Sequence, residues 1–146
     1  MIRTAIVSRP IDSNDLSAEV SSGEYGAIAW FLGVVRNNND GREVEGIEYT
    51  AYNAMAESEL RKIAIEATEQ FTIGSLVVEH RVGFLSVGEI SVAIVAGAAR
   101  SRAALDTTRF VIEEIKKRVP IWKLEHYADG TREWVDATKA RSAAAT

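Results

Sequence analysis

An α+β domain is the fold class this sequence predicts, and three observations predict it. Segments of strand composition occur in runs between helical segments, without the regular strand–helix alternation of a doubly wound sheet. Two long stretches place apolar residues at helical spacing. The 146 residues suit one core better than two. The expected order is β-α-β-β-α-β-β-α-β-β, a single domain over residues 1–137 with a mixed or antiparallel sheet and two long helices. The closing KARSAAAT is low in complexity, so residues 138–146 are expected to fray.

Each element has a local reason. RTAIVS (3–8) is a strand closed by Pro10, and Ser13 or Asn14 is expected to cap a short helix through Leu16 and Val20. GAIAWFLGVVR (26–36) is long, apolar and β-branched, which predicts a buried strand with a bulge near Gly33. NNNDG is turn chemistry, and EVEGIEYTAY then alternates as a half-buried strand. A helix is expected over 54–71, burying Met55, Leu60, Ile63, Ala64, Ala67 and Phe71. Residues 75–99 contain two or three strands broken at Gly83 and at Gly88-Glu89. A second long helix over 101–119 is expected to bury Leu105, Thr108, Ile112, Ile115 and Val119 before Pro120 stops it. IWKLEHY, a turn at Asp129-Gly130 and EWVDA form a closing hairpin.

Composition narrows the chemistry. Seventeen Lys and Arg against 21 Asp and Glu leave a net charge of −4 and a pI near 5.3, which disfavours nucleic acid as a partner. The absence of cysteine excludes disulfides, thiolate catalysis and Cys-ligated metals. With His80 and His126 as the sole histidines, no multi-histidine metal site is expected within one chain. No apolar run is long enough for a membrane span, and the N-terminus meets Pro10 and acidic residues before a signal core develops; a soluble cytoplasmic protein is the expectation. There is no G-x-G-x-x-G, P-loop, H-E-x-x-H or nucleophile elbow.

What remains is basic. Lys116, near the end of the second long helix, reads either as a complement to the helix dipole or as a site residue. Lys123 lies between large apolar residues in PIWKLEH, an unusual setting for a plain surface lysine. Arg36 ends the apolar strand as an edge residue or as an anion contact, since its planar fork suits phosphate. Arg100 and Arg102 flank Ser101 at a strand-to-helix junction, where free backbone N–H groups favour an anion. His80 reads as orienting a strand end, His126 as a hairpin residue, and Trp30, Trp122 and Trp134 as core or interface anchors. On residue types alone this is an α+β domain with an anion site.

A more specific pattern runs from about residue 3 to residue 137. GAIAWFLGVVRNNNDGREVEGIEYTAYNAMAESEL, HRVGFLSVGEISV, IKKRVPIWKLEHYADG and EWV, in this order and spacing, resemble the large, catalytic subunit of molybdopterin synthase. G-x-V-R-N, Y-x-x-M-A-E and K-x-x-x-P-I-W-K-x-E carry the resemblance most sharply. It implies an α+β fold with an α/β-hammerhead arrangement. It also implies conversion of cyclic pyranopterin monophosphate (precursor Z) to molybdopterin by installing two dithiolene sulfurs. No cofactor is implied, the sulfur coming from the C-terminal Gly-Gly thiocarboxylate of a small ubiquitin-like partner. The large subunit would form a homodimer at the centre of a 2+2 heterotetramer.

By matching position, the resemblance implies that Lys116 and Lys123 are the active-site lysines. Val34, Val35 and Arg36 match a segment that closes over the substrate, and Lys123, Leu124 and Glu125 match a pocket-lining stretch. Crowding Lys116, Lys123 and Arg36 should lower a lysine pKa by like-charge repulsion, helped by desolvation. One departure stands out. The family's His-Arg pair at the strand-to-helix junction, which lines the phosphate site partly across the dimer, falls on Arg100 and Ser101, or on Ala99 and Arg100 after a one-residue shift. The histidine is missing in either register. The competing reading is therefore a divergent, non-catalytic paralogue that binds the small subunit or the pterin without efficient turnover.

Overall fold

A computed structural model describes residues 1–135; residues 136–146, which include the end of the expected domain and the whole expected tail, lie outside the described residues. The strands are β1 (Ile2–Val7), β2 (Ala27–Val34), β3 (Asn38–Asn39), β4 (Arg42–Ala51), β5 (Ser75–Arg81), β6 (Gly83–Ser86), β7 (Ile90–Ala98), β8 (Ile121–Tyr127) and β9 (Arg132–Val135). The helices are α1 (Ser13–Val20), α2 (Asn53–Gln70) and α3 (Ser101–Arg118). The α+β expectation holds, with the two predicted long helices of 18 residues each.

Two sheets divide the work. The first, in the order β1-β5-β7-β2, is mixed: β1 runs parallel to β5, while β5/β7 and β7/β2 are antiparallel. The second joins β3, β4, β8 and β9, with β6 also paired to β4. Both faces of the first sheet are covered. Leu76, Val78, Ile94 and Ala96 face Leu60, Ile63, Ala64 and Ala67 of α2 and Val111 and Ile115 of α3. The alternate residues Val77, Ala93 and Val95 face Leu16 and Val20 of α1. Burial on both faces explains why β5 and β7 read as continuous apolar runs. Val35, Val44, Ile47, Tyr49, Leu85 and Tyr127 make a smaller core in the second sheet.

Several local expectations need correction. α1 is capped by Asp12, whose carboxylate accepts from the N–H groups of Asn14 and Asp15, one residue before the expected Ser13. β2 is an edge strand with Ile28, Trp30 and Val34 exposed, not a buried one, although the expected bulge is present at Gly33/Val34. In β4 a register shift between Val44 and Gly46 breaks strict alternation and lets Val44, Ile47 and Tyr49 all reach the core. Met55 and Leu105, expected inside, are exposed; α3 instead buries Ala104, Thr107, Thr108, Val111 and Ile115. All three tryptophans are exposed, which removes the core reading for them. At the β3–β4 turn, Asp40 and Gly41 both take positive φ, the requirement of a tight hairpin turn.

Candidate active site

The last turn of α3 carries Lys116, Lys117 and Arg118, a favourable place for cations beside the helix's unpaired carbonyls. Arg118 turns back onto α2, pairing with Glu66 at 2.8 Å and Glu59 at 3.3 Å, and also reaches Glu114. Lys117 pairs with Glu114 at 3.3 Å. Among the described residues, no carboxylate stands within ion-pair distance of Lys116. The dipole explanation alone would leave all three cations equivalent, and they are not.

Beyond Arg118 the chain turns sharply. Val119 is extended and Pro120 follows, its carbonyl accepting the Tyr52 N–H at 3.3 Å. β8 then runs between β4 and β9, placing Lys123 directly opposite Tyr49. Residues opposite in an antiparallel pair share a face, and the Lys123 ammonium lies 5.9 Å from the Tyr49 ring centroid. The Lys123 pKa is lowered, first by desolvation, then by the charge of Lys116 and more weakly by Arg36, with Glu125 opposing. Lys123 is nevertheless an exposed residue, so this is an open face of the second sheet and not a sealed cavity. Like-charge crowding is therefore real, but burial leads it, the reverse of the order expected above.

Arg36, exposed just beyond β2 of the other sheet, bears on Lys123 through its charge. The preceding Val35 is buried, donates its N–H to the Glu89 carbonyl at 3.1 Å and accepts from the Gly88 N–H at 2.7 Å. That anchor sets the direction in which Arg36 leaves. Neither Arg36 nor Lys123 has an ion-pair partner among the described residues. Glu125, on the same face of β8 as Lys123, is buried and already committed: it accepts from Asn39 Nδ2 at 2.8 Å and from the Tyr127 hydroxyl at 2.6 Å. A cationic group whose one neighbouring carboxylate is already hydrogen-bonded elsewhere is chemically suited to an anion.

The remaining expected residues separate. Val34 is exposed, while the Val35 side chain belongs to the second core, away from any pocket. Leu124 points to the face of β8 opposite Lys123, because strand side chains alternate, and lies across from Glu48 and Trp134. Arg100 and Ser101 sit at the other end of α3, roughly 22 Å from Lys116 by helix rise, so a single chain does not bring them to the lysines. Arg102 is exposed and lies 3.9 Å from Asp106. A surface hollow lined by Arg42, Glu43, Tyr127, Ala128 and Asp129 lies toward the far end of β8; Arg42 there is already matched by Glu133 and Asp129. No group of His, Asp and Glu suited to holding a metal occurs among the described residues.

Two neighbours of Lys123 escaped the sequence reading as site residues. His80 is buried, its Nδ1 is 3.0 Å from the Arg81 carbonyl, and its ring meets Tyr49 edge-on at 5.4 Å. Burial, resisted by that backbone contact and aided by the charge of Lys123, pushes the His80 pKa down to about 4, so the imidazole is neutral near pH 7. The strand-end role read for His80 agrees with the Arg81 contact. Its proximity to Lys123 depends on how β4, β5 and β8 come together, which spacing does not encode.

The fold is a two-sheet α+β protein in which the charges of a helix end, a strand and the segment after a bulge act together on Lys123. The family model described as MoaE protein matches residues 6–118. A molybdopterin synthase catalytic subunit from Pyrococcus abyssi is 38% identical, the match covering 94% of this chain and 93% of that protein. One of the same description from Bacillus subtilis is 36% identical, over 92% and 85%. Among solved structures, a molybdopterin synthase from Staphylococcus aureus superposes with a TM-score of 0.85 at 32% identity, covering 90% of this chain and 96% of that one. The chain belongs to the MoaE protein family, whose relatives include molybdopterin synthase catalytic subunits.

Proposed function

We propose that this chain is the sulfur-transferring subunit of a molybdopterin synthase. In this reading it converts cyclic pyranopterin monophosphate to molybdopterin with sulfur from the C-terminal thiocarboxylate of a small ubiquitin-like protein ending in Gly-Gly. The observation that carries the reading is the grouping of charge: Lys123 feels both Lys116 and Arg36, none of the three has an ion-pair partner among the described residues, and Glu125, whose charge opposes them, already accepts from Asn39 and Tyr127. Both reactants are anionic where they would enter, one through a phosphate and the other through a peptide terminus. Lys116 contacts the thiocarboxylate and the reacting carbon. Lys123 stabilises developing negative charge and moves protons, for which a lowered pKa suits it. Arg36 holds the substrate. No resident cofactor enters this scheme, since the partner brings the sulfur.

The phosphate contact calls for a second copy. Arg100 and Ser101 lie at the end of α3 remote from the lysines, so in this reading a homodimer supplies them across its interface. The exposed edge strand β2, with Ile28 and Trp30 outward, supports a chain-to-chain contact, since bare apolar edges are otherwise a liability. The full assembly is then two large and two small subunits working in the cytoplasm; no helix among the described residues is long and apolar enough to cross a membrane.

One observation favours a second reading. The strand-to-helix junction reads Ala99-Arg100-Ser101, without the histidine that the resemblance leads one to expect, which fits a divergent subunit that binds but turns over poorly. A single reaction separates the two. The chain is mixed with a thiocarboxylated small subunit and the pterin precursor, and products are read by mass spectrometry. A dithiolene product or a sulfurated intermediate supports catalysis; binding without sulfur transfer selects the non-catalytic reading.

A further inference from the structure

Lys123 rests on an aromatic platform that nothing above uses. Tyr49 is buried, stands directly opposite Lys123 in the β4–β8 ladder, and turns its ring to within 5.9 Å of the ammonium. That separation is at the reach of a cation–π contact. The edge-on His80 ring, 5.4 Å away, packs against Tyr49 from β5.

We propose that Tyr49 is a positioning residue for the reaction: its ring is the platform that holds the Lys123 ammonium beside Lys116 and Arg36. The choice of group has a physical reason. A carboxylate under Lys123 would hold the ammonium equally well but would cancel its charge. A π face attracts a cation through its quadrupole and leaves the charge available to an incoming anion. The groups that face Lys123 are Lys116 from α3, Arg36 beyond β2, Glu125 from β8 and the neutral His80 from β5. Two of these repel an ammonium and His80 is neutral; Glu125 attracts it but is shared with Asn39 and Tyr127, which leaves the ring as the partner standing directly opposite Lys123.

The part of the proposal that concerns turnover rests on the sulfur-transfer reading; the placement of Lys123 does not, and two measurements keep them apart. On the chain alone, trace acetylation with acetic anhydride at pH 7 is read by mass spectrometry at Lys123 against the exposed Lys62. Tyr49→Leu and the better-filling Tyr49→Met should each lower the relative reactivity of Lys123 severalfold, as an ammonium free to swing away from Lys116 and Arg36 returns toward its ordinary pKa. Tyr49→Phe should restore it to within about twofold. In the sulfur-transfer reaction, Leu and Met should lower kcat at least about tenfold with KM for the pterin nearly constant, and Phe should recover most of the rate. Folded Leu or Met variants whose Lys123 labels as in the parent chain overturn the proposal. A parent chain that transfers no sulfur, with the labelling pattern intact, overturns the sulfur-transfer reading and leaves the platform standing.

Discussion

At one edge of the first sheet, Arg3 and Arg9 converge on the carboxylate of Glu79; Lys116, Lys123 and Arg36 bring their charges together with no ion-pair partner among the described residues, Glu125 alone opposing them. Glu79 has no exposed side-chain surface and accepts from Arg3 Nη2 at 2.8 Å and from Arg9 at 2.8 and 3.1 Å. Burial by itself would raise its pKa, but the hydrogen bonds from Arg9 and Arg3 outweigh that and hold the carboxyl below its usual value. Arg3 also forks onto Glu19 of α1, so the triad pins β1, α1 and β5 together. Cations with a built-in partner make structure. Cations gathered without one leave an unsatisfied field, which is useful only if an anion arrives to fill it.

The largest expected effect lies in the matched cluster. Glu79→Ala leaves two arginines facing a void and should cost about 3 kcal/mol, the lower end of the range for breaking a buried pair because both arginines reach solvent. Urea denaturation would read it, and an unchanged midpoint would show that the triad is ornamental. The parent protein should also lose this contribution in acid. With a folded pKa below the ordinary value of 4.5, the Glu79 term is complete above pH 4.5 and drains away as pH falls through the folded value.

His80 should add a comparable acid sensitivity at higher pH. Its folded pKa of about 4 lies below the ordinary 6.5, so the folded state resists protonation. Stability is then complete above pH 6.5 and lost progressively between 6.5 and 4, by roughly 3 kcal/mol in full. Chemical denaturation across that window should show the slope in the parent chain and a flatter profile in His80→Gln.

In the unmatched cluster the expected losses are of function. Lys116→Ala should lower sulfur transfer by about a hundredfold or more, the scale of a lost positioned acid or base, with little change in melting temperature. Near-parental conversion would remove Lys116 from the chemistry. The smallest effect carries the opposite sign. Lys123→Met removes a repelled and partly desolvated charge while keeping its length, and should raise stability by about 0.5 kcal/mol while lowering activity. A clear loss of stability in that variant would mean that Lys123 is a structural residue after all.

Much of this molecule was legible in the chain. The strand runs, the two long helices, Pro120 as a helix stop and both Asp-Gly turns follow from local propensity and dihedral preference, and the structure keeps them. The errors share a cause. Leu105 and Met55 have apolar side chains at helical spacing, yet α3 and α2 turn neighbouring residues toward the sheet, since helix phase is settled by what the helix packs upon. The GAIAWFLGVVR run has the composition of a buried strand, but its place at the edge depends on sheet order.

The site divides in the same way. Residue type alone leaves Lys116 and Arg36 each with a structural and a site reading, large apolar neighbours mark Lys123, and the family resemblance is what singles out all three. Only tertiary structure decided that Tyr49 and His80 lie beneath Lys123, that Leu124 faces away, and that Arg100 is a helix length distant. Propensity and pattern act over a few residues. Register between β4 and β8, and the meeting of two sheets, bring together groups dozens of residues apart, and no local rule carries that information.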